Sequence, residues 1–445
     1  MKYSKFNFRN NIFFKNTTLF FLTTLLFASF SCQGQNKNNT LLIKEITTEI
    51  PKKIITAANL TEKYFPLLEN KRIGIVANQT SVIFKPYQQE VVGEFYNPSD
   101  SLWYQGVESH WFYDQYTHLV DSLVSSKINV IKVFAPEHGF RGTADAGEII
   151  KDGKDLKTGL PLVSLYGNNK KPTQAQLADL DMVIFDIQDV GARFYTYIST
   201  LHYVMEACAE AGIPLLILDR PNPNIHYTDG PILEKEHSSF VGMHPIPIVH
   251  GMTIAEYAQM INGEGWLENG LKCTLHIIPV SNYSRADSYS LPIKPSPNLP
   301  NDQSINLYPS TCFFEGTPLS EGRGTEKQFQ VFGSPDLPKD KYPFSFTPQP
   351  NEGAKNPKLN GILCYGMDLS TVENLDGLNL DWLINAYQNF KDKDSFFTSF
   401  FTTLAGTKKL QTQIQAGMSA QDIKATWQDG LQKYNDMRQK YLLYK

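Results

Sequence analysis

Residues 182–218 read MVIFDIQDVGARFYTYISTLHYVMEACAEAGIPLLIL, and this stretch decides the fold. Met182–Ile187 (MVIFDI) and Pro214–Leu218 (PLLIL) are short, continuous apolar runs, the pattern of strands buried on both faces. Thr196–Ala211 between them reads as a helix. Strand, helix and strand in that order imply a parallel sheet covered by helices. Upstream, Arg72–Ala77 (RIGIVA) and Val130–Ala135 (VIKVFA) repeat the strand pattern, with His118–Ser126 as a helix before the second. Downstream, helix Thr253–Asn262 and strand Thr274–Val280 complete the layers. The fold class expected is α/β, with a Rossmann-like parallel sheet spanning residues 54–280.

Past Val280 the texture changes. Residues 281–360 are rich in proline, glycine, serine and asparagine, after which Gly361–Asp368 reads as a strand and Leu380–Phe390 and Ala420–Tyr441 as helices. Residues 281–445 are therefore expected to form a second, smaller α+β domain. The roughly 414 residues that follow residue 31 are more than one core usually serves, which agrees with two domains. Residues 85–115 carry Tyr87, Phe95, Tyr96, Trp103, Tyr104, Trp111 and Tyr113 and are expected to form a long aromatic-rich loop. Its rings either stack on sugars or bury the loop against the body.

The N-terminus has the layout of an export signal. Lys2, Lys5, Arg9 and Lys15 precede an apolar run, Thr18–Phe30, that is short for a bilayer span. Ser31-Cys32 then fits a lipoprotein cleavage site, and residues 32–53 read as a tether. A diacylated Cys32 would give the two chains that stable attachment needs. The expected location is outside the cytoplasm, on a membrane, in the periplasm or at the cell surface. The whole chain carries −4; without the signal's four positive residues the mature chain is near −8. That excludes a nucleic-acid partner, since phosphate binding needs a basic face. Cys208, Cys273, Cys312 and Cys364 are scattered through apolar runs without CxxC spacing, so buried thiols are expected. Oligomeric state stays open.

In a parallel sheet, ligands sit at the carboxyl ends of the strands. There the polar residues gather: Asn78 after the first strand, Glu137, His138 and Arg141 after the second, Asp186, Asp189 and Arg193 at and beyond MVIFDI, and Asp219 and Arg220 after PLLIL. Residues 315–325, EGTPLSEGRGT, add Glu315, Glu321 and Arg323 on a run too irregular to be core, expected as a lid or a solvated loop. Such a set suits glycoside hydrolysis, which takes one carboxylic acid to protonate the leaving oxygen and a second group to attack or to activate water. Glu137, between proline and histidine at a strand end, is expected as the acid. Asp186, Asp189, Glu315 and Glu321 are open for the second role. Arg141, Arg193, Arg220 and Arg323 suit a substrate carboxylate, and His138 is open between orienting Glu137 and packing. The EHG run with Asp145 and Glu148 lacks metal-ligand spacing, no serine sits in GxSxG, and no GxGxxG follows the first strand, so neither metal nor cofactor is expected.

At these same turns the chain resembles the exo-β-N-acetylmuramidases of the NamZ type, glycoside hydrolase family 171. The segments VANQTSV, FAPEHGFRG, SLYG, DIQDVGARFYTYISTL, LDRPNP, HGMTIAEYA, PSPNLP and EGTPLSEGRGT carry the likeness in family order. The resemblance implies a Rossmann-like domain with a smaller C-terminal domain, a site between them, and release of N-acetylmuramic acid from the non-reducing ends of peptidoglycan fragments. By motif it implies Glu137 as catalytic acid and places Glu321 ahead of Glu315 and Asp186 for the second carboxylate. The substrate's own 2-acetamido group is an alternative nucleophile. Muramic acid's lactyl carboxylate would give the arginines a partner.

Overall fold

The computed structural model describes residues 53–85, 87–97, 102–112, 115–137, 139–141 and 153–445. The signal, Cys32, nearly all of the tether and His138 lie outside the described residues. Among the described residues, no helix is long and apolar enough to cross a membrane.

The apolar runs become seven strands of one sheet: β1 Ile73–Ala77, β2 Val130–Ala135, β3 Gly153–Lys154, β4 Pro161–Ser164, β5 Met182–Asp186, β6 Leu215–Leu218 and β7 Leu275–Ile278. Their order is β7-β6-β5-β1-β2-β4-β3, all parallel except the β3–β4 edge. Numbering only the parallel strands along the chain gives 3-2-1-4-5-6, the doubly wound order whose direction of winding reverses between β1 and β5. Every residue of β1, β5 and β6 is buried, which is why these strands appear in the sequence without polar alternation. At Gly74 in β1 an added Cβ would stand 2.6 Å from Leu180 Cδ1, so the sheet packs there without room for a side chain.

Helices cover both faces. α1 (Thr61–Leu68) and α2 (Leu119–Ser125) share one hydrophobic cluster with β1. α3 (Tyr197–Ala211) and α4 (Ile254–Gly263) lie in the larger cluster on the other face. α3 ends at Gly212, whose φ of +67° is a left-handed stop, and α4 starts on a Thr253/Glu256 capping box.

The C-terminal region is smaller and mixed. Helix α5 (Asp302–Thr311) leads into a three-stranded antiparallel sheet of β8 (Val331–Ser334), β9 (Phe344–Phe346) and β10 (Cys364–Asp368), with β10 central. Five helices follow, the last of them Gln428–Arg438. The chain then returns to the first sheet: Tyr444 Oη donates to Asp219 Oδ2 at 2.6 Å and accepts from the Val280 N–H at 2.8 Å. Cys208, Cys273, Cys312 and Cys364 are free, buried thiols.

Two expectations are corrected. The aromatic segment is not a loop but a ribbon, in which Tyr87–Asn97 pairs antiparallel with Leu102–Phe112 along eleven residues. Between the two strands lies Pro98-Ser99-Asp100-Ser101, a run of turn formers flanked by strand-forming residues. The segment 315–325 is neither lid nor solvated loop over most of its length: Gly316, Thr317 and Leu319–Gly322 are buried. Its backbone is satisfied by an isolated bridge in which Ser320 and Gly333 exchange N–H···O bonds of 2.8 and 3.0 Å. A Cβ at Gly316 would lie 2.5 Å from Phe401 Cα, so glycine there serves close packing.

Candidate active site

The turns after β1, β2 and β5 meet where the winding reverses. Asn78, fully buried after β1, holds the first turn with both ends of its side chain. Its Oδ1 accepts from the Thr80 N–H (2.9 Å) and hydroxyl (2.6 Å), while its Nδ2 donates to Tyr197 Oη at 2.9 Å. Thr80 Oγ1 accepts from the Gln188 N–H at 3.1 Å, and the Ser81 hydroxyl donates to the Asp186 carbonyl, so the turn is stitched to the end of β5. The buried His118 ring hydrogen-bonds the Asn78 carbonyl through Nε2 at 2.8 Å and accepts from the Val120 N–H at the start of α2. Burial pushes His118 down to about 4, against the pull of that carbonyl, so the ring is neutral at pH 7.

Glu137 stands at this edge, half-buried, immediately beyond β2. Tyr166 Oη donates to its Oε1 at 3.0 Å and Thr196 Oγ1 to its Oε2 at 2.6 Å. Tyr166 comes from the turn after β4, and Thr196 is the N-cap residue of α3. The Tyr197 hydroxyl reaches the Glu137 carbonyl at 3.3 Å. Burial, followed by the charge of Glu137, pushes the Tyr197 hydroxyl up and keeps it protonated. The carboxyl is thus fixed from three strand ends, and both of its oxygens meet hydroxyls.

Glu321 has a different setting. It is 1% exposed; Lys358 Nζ lies 2.8 Å from its Oε2 and Arg323 Nε 3.3 Å from its Oε1. Arg323 also donates to Glu315 Oε1 at 2.6 Å and lies over the Phe329 ring at 5.0 Å. A continuous run of edge-on rings, Tyr197–Tyr195–Tyr308–Phe329, connects this cluster with the Glu137 edge.

The four arginines expected to meet a substrate carboxylate are engaged by the protein itself. Arg141 bridges Asp121 (3.1 Å) and Asp155 (2.9 Å). Arg193, wholly buried, donates to the carbonyls of Pro231, Ile246, Leu404 and Ala405, tying the two regions together. Arg220 makes a bidentate pair with the fully buried Asp186 at 2.6 and 2.9 Å. Arg323 holds Glu315 as described. Asp189 accepts from the Gly191 N–H at 2.7 Å and lies 3.4 Å from His250 Nε2. Gly191 has φ +80° and would place a Cβ 2.4 Å from Asn222 Oδ1, so that turn accepts only glycine.

Tyr166, Thr196, Tyr197, His118 and Lys358 were not singled out in the sequence. For the tyrosines and the threonine a signal exists, since they sit in SLYG and TYIST at predicted strand and helix ends. For Lys358 there is none: only the tertiary fold brings it to Glu321.

Known proteins with the same pattern were found on three grounds. Residues 107–303 match the family described as "Exo-beta-N-acetylmuramidase NamZ, N-terminal", and residues 306–444 its "C-terminal" counterpart. The peptidoglycan beta-N-acetylmuramidase NamZ of Bacillus subtilis (strain 168) is 34% identical over 464 residues, 98% of this chain and 100% of the relative. A DUF1343 family crystal structure from Bacteroides fragilis NCTC 9343 superposes with a TM-score of 0.75 at 44% identity, covering 88% of this chain and 99% of its own. A second from the same strain gives 0.69 at 26% identity with the same coverage. With both family regions present in order and a relative aligned along nearly its whole length, this chain belongs to the NamZ exo-β-N-acetylmuramidase family.

Proposed function

We propose that the protein is an exo-acting glycosidase that releases N-acetylmuramic acid from the non-reducing ends of peptidoglycan fragments. Family membership supports the reaction class, and the named activity of the Bacillus subtilis relative supports the substrate. On this chain's own residues, one observation carries the reading. Glu137 is the carboxyl placed at the winding reversal, half-open, with hydroxyls from two other strand ends on its oxygens.

In this reading Glu137 gives its proton to the glycosidic oxygen as the C1–O bond breaks, and water completes the exchange at C1. Tyr166 and Thr196 suit that role because a hydroxyl both donates and accepts, so either protonation state of the carboxyl keeps its partners. Glu321, or the substrate's own acetamido group, supplies the second function. A binding protein without turnover would have no use for a carboxyl held this way, and the family assignment does not favour it.

The export reading belongs to the same proposal. A lipid-anchored Cys32 would place the protein in the periplasm or at the cell surface, beside its substrate. Loss of fatty-acid labelling and of membrane association in Cys32→Ser would support that; a soluble, unlabelled wild type would end it.

The direct test incubates the full chain with para-nitrophenyl β-N-acetylmuramide and, separately, with the corresponding N-acetylglucosaminide. Release from the muramide alone supports the assignment. No release from either sugar sinks it.

A further inference from the structure

The ribbon of Tyr87–Asn97 and Leu102–Phe112 has no role in the site described so far. Each strand is eleven residues long, a reach of about 35 Å. Among the described residues it pairs with no other strand. A two-stranded ribbon on its own is marginal in water and needs something to cover it. Its root is the short ladder of Val82–Phe84 with Tyr116–His118, closed by the Lys85 N–H donating to the Gln115 carbonyl at 2.8 Å. That ladder follows the Asn78–Ser81 turn directly and contains His118, which hydrogen-bonds Asn78. The ribbon therefore grows from the catalytic edge of the sheet.

The register shows what the ribbon carries. Phe95 stands opposite Tyr104, and the adjacent pair, on the other face, is Tyr96 with Trp103. A ribbon that packed one face on the body would alternate apolar with polar, yet here both faces carry aromatic pairs near the distal end. Two pairs closer to the sheet, beyond Glu94 and Gln105, Gly93 stands opposite Gly106. Stepping by two along the strands, Gly93/Gly106 and Phe95/Tyr104 fall on the same face. Two glycines opposite each other weaken a ladder and leave bare backbone, the pattern of a close-approach point for a ligand.

Charge selects the ligand. Residues 87–112 contain no lysine or arginine, and their acidic residues are Glu90, Glu94, Asp100 and Glu108. Anionic lipid and nucleic acid are both disfavoured by such a segment. By the same register the amides Gln89 and Asn97 fall on the Phe95/Tyr104 face, and Gln88 and Gln105 on the other. Rings beside amides and bare backbone suit pyranose faces and N-acetyl groups.

We propose that the ribbon is an auxiliary glycan-binding arm, which takes a β-linked N-acetylhexosamine chain on the face that sets Phe95/Tyr104 beside Gly93/Gly106. The proposal rests on the glycosidase reading for its ligand class and adds a second contact for polymeric substrate, away from the reacting bond.

The test uses the full chain carrying Glu137→Gln, so that hydrolysis does not erode the ligand, and measures co-sedimentation with insoluble peptidoglycan. Phe95→Ala with Tyr104→Ala, and separately replacement of residues 87–112 by a short Gly/Ser linker, should each weaken binding on the order of tenfold. Phe95→Trp with Tyr104→Trp should retain it. In the Glu137 background, turnover of para-nitrophenyl β-N-acetylmuramide should be unchanged by the alanine pair. Undiminished sedimentation in both the alanine and linker variants overturns the arm. So does a loss of binding to phosphatidylglycerol vesicles with sedimentation intact, which would make the ribbon a membrane element. A wild type that sediments yet hydrolyses no muramide would defeat the glycosidase reading and leave the arm standing.

Discussion

Two carboxylates of the candidate site have opposite surroundings. Glu137 is half-open, and among the described residues the hydroxyls of Tyr166 and Thr196 meet its oxygens. Glu321 is entombed between Lys358 and Arg323. An ammonium and a guanidinium only donate, so they fit a carboxylate and clash with a carboxylic acid; a hydroxyl fits both. In the proposed reading the first position suits passing a proton and the second suits holding an anion. Environments that differ in this way are how a fold assigns an acid and an anion to two chemically identical side chains.

The largest effect should come from removing the carboxyl proposed as the proton carrier. Glu137→Gln keeps the shape and the hydroxyl contacts, and should lower kcat on a natural MurNAc-GlcNAc disaccharide by about 10²–10⁴. The loss on the nitrophenyl sugar should be smaller, because nitrophenolate leaves with little help from an acid. Equal losses on the two would show that Glu137 acts other than by protonating the leaving oxygen. Undiminished rates on both would remove it from the reaction.

Glu321→Gln probes the other half of the comparison. It leaves Lys358 with its carbonyl acceptors and Arg323 with Glu315, so the lost pairing costs about 1–3 kcal/mol. Thermal unfolding should therefore shift down clearly, whereas Glu137→Gln should leave it in place. If activity vanishes with the fold intact, Glu321 takes part in the chemistry. If activity per folded molecule survives, the second function belongs to the substrate's acetamido group and Glu321 is a structural anion.

Asp219 calibrates both, being a buried carboxyl away from either role. Burial pushes it up to about 7 from 3.8, against hydrogen bonds from Tyr444 and from the Ala255 N–H. Between those two values the folded chain holds a proton that the unfolded chain releases. Stability from this group is therefore fully present below about pH 4 and declines as pH rises toward 7, by a few kcal/mol at most. His118 acts in the other direction, its contribution being lost as pH falls from 6.5 toward about 4. Comparing denaturant midpoints of wild type and Asp219→Asn across pH 4–7 isolates the first slope. An identical slope in both would show that Asp219 is charged in the fold.

The same contrast explains what the sequence made legible. β1, β5 and β6 are buried on both faces, so their burial is written locally as unbroken apolar residues. Strand ends then located Glu137 and Asn78 through a rule of sheet topology alone. Residues 315–325 resisted because their burial comes from distant partners, Gly333, Lys358 and Phe401, and not from their own hydrophobicity. The arginines' partners within the protein were hidden for a related reason. A guanidinium beside a strand end looks available, and only the fold reveals Asp186 in front of Arg220 or four carbonyls around Arg193. The ribbon was hidden by its glycines and polar residues, which break the alternation that marks a half-buried strand.

The smallest expected effect sharpens the comparison most. Tyr166→Phe removes one donor from Glu137 Oε1 and leaves the ring, at a cost of about 1 kcal/mol, or several-fold in rate. Thr196→Val removes the partner of Oε2 at similar cost and leaves the start of α3 as it is, since the Thr196 hydroxyl makes no capping bond there. If these hydroxyls only hold the side chain in place, each variant lowers kcat with the pH–rate profile unmoved. If they also set when Glu137 gives up its proton, the limb of the profile belonging to the acid shifts. The two changes meet on one carboxyl, so their effects should be non-additive in the double variant. Strict additivity, or undiminished rates in both single variants, would mean that the two hydroxyls do not act through the Glu137 carboxyl, and the contrast between the two sites would fail.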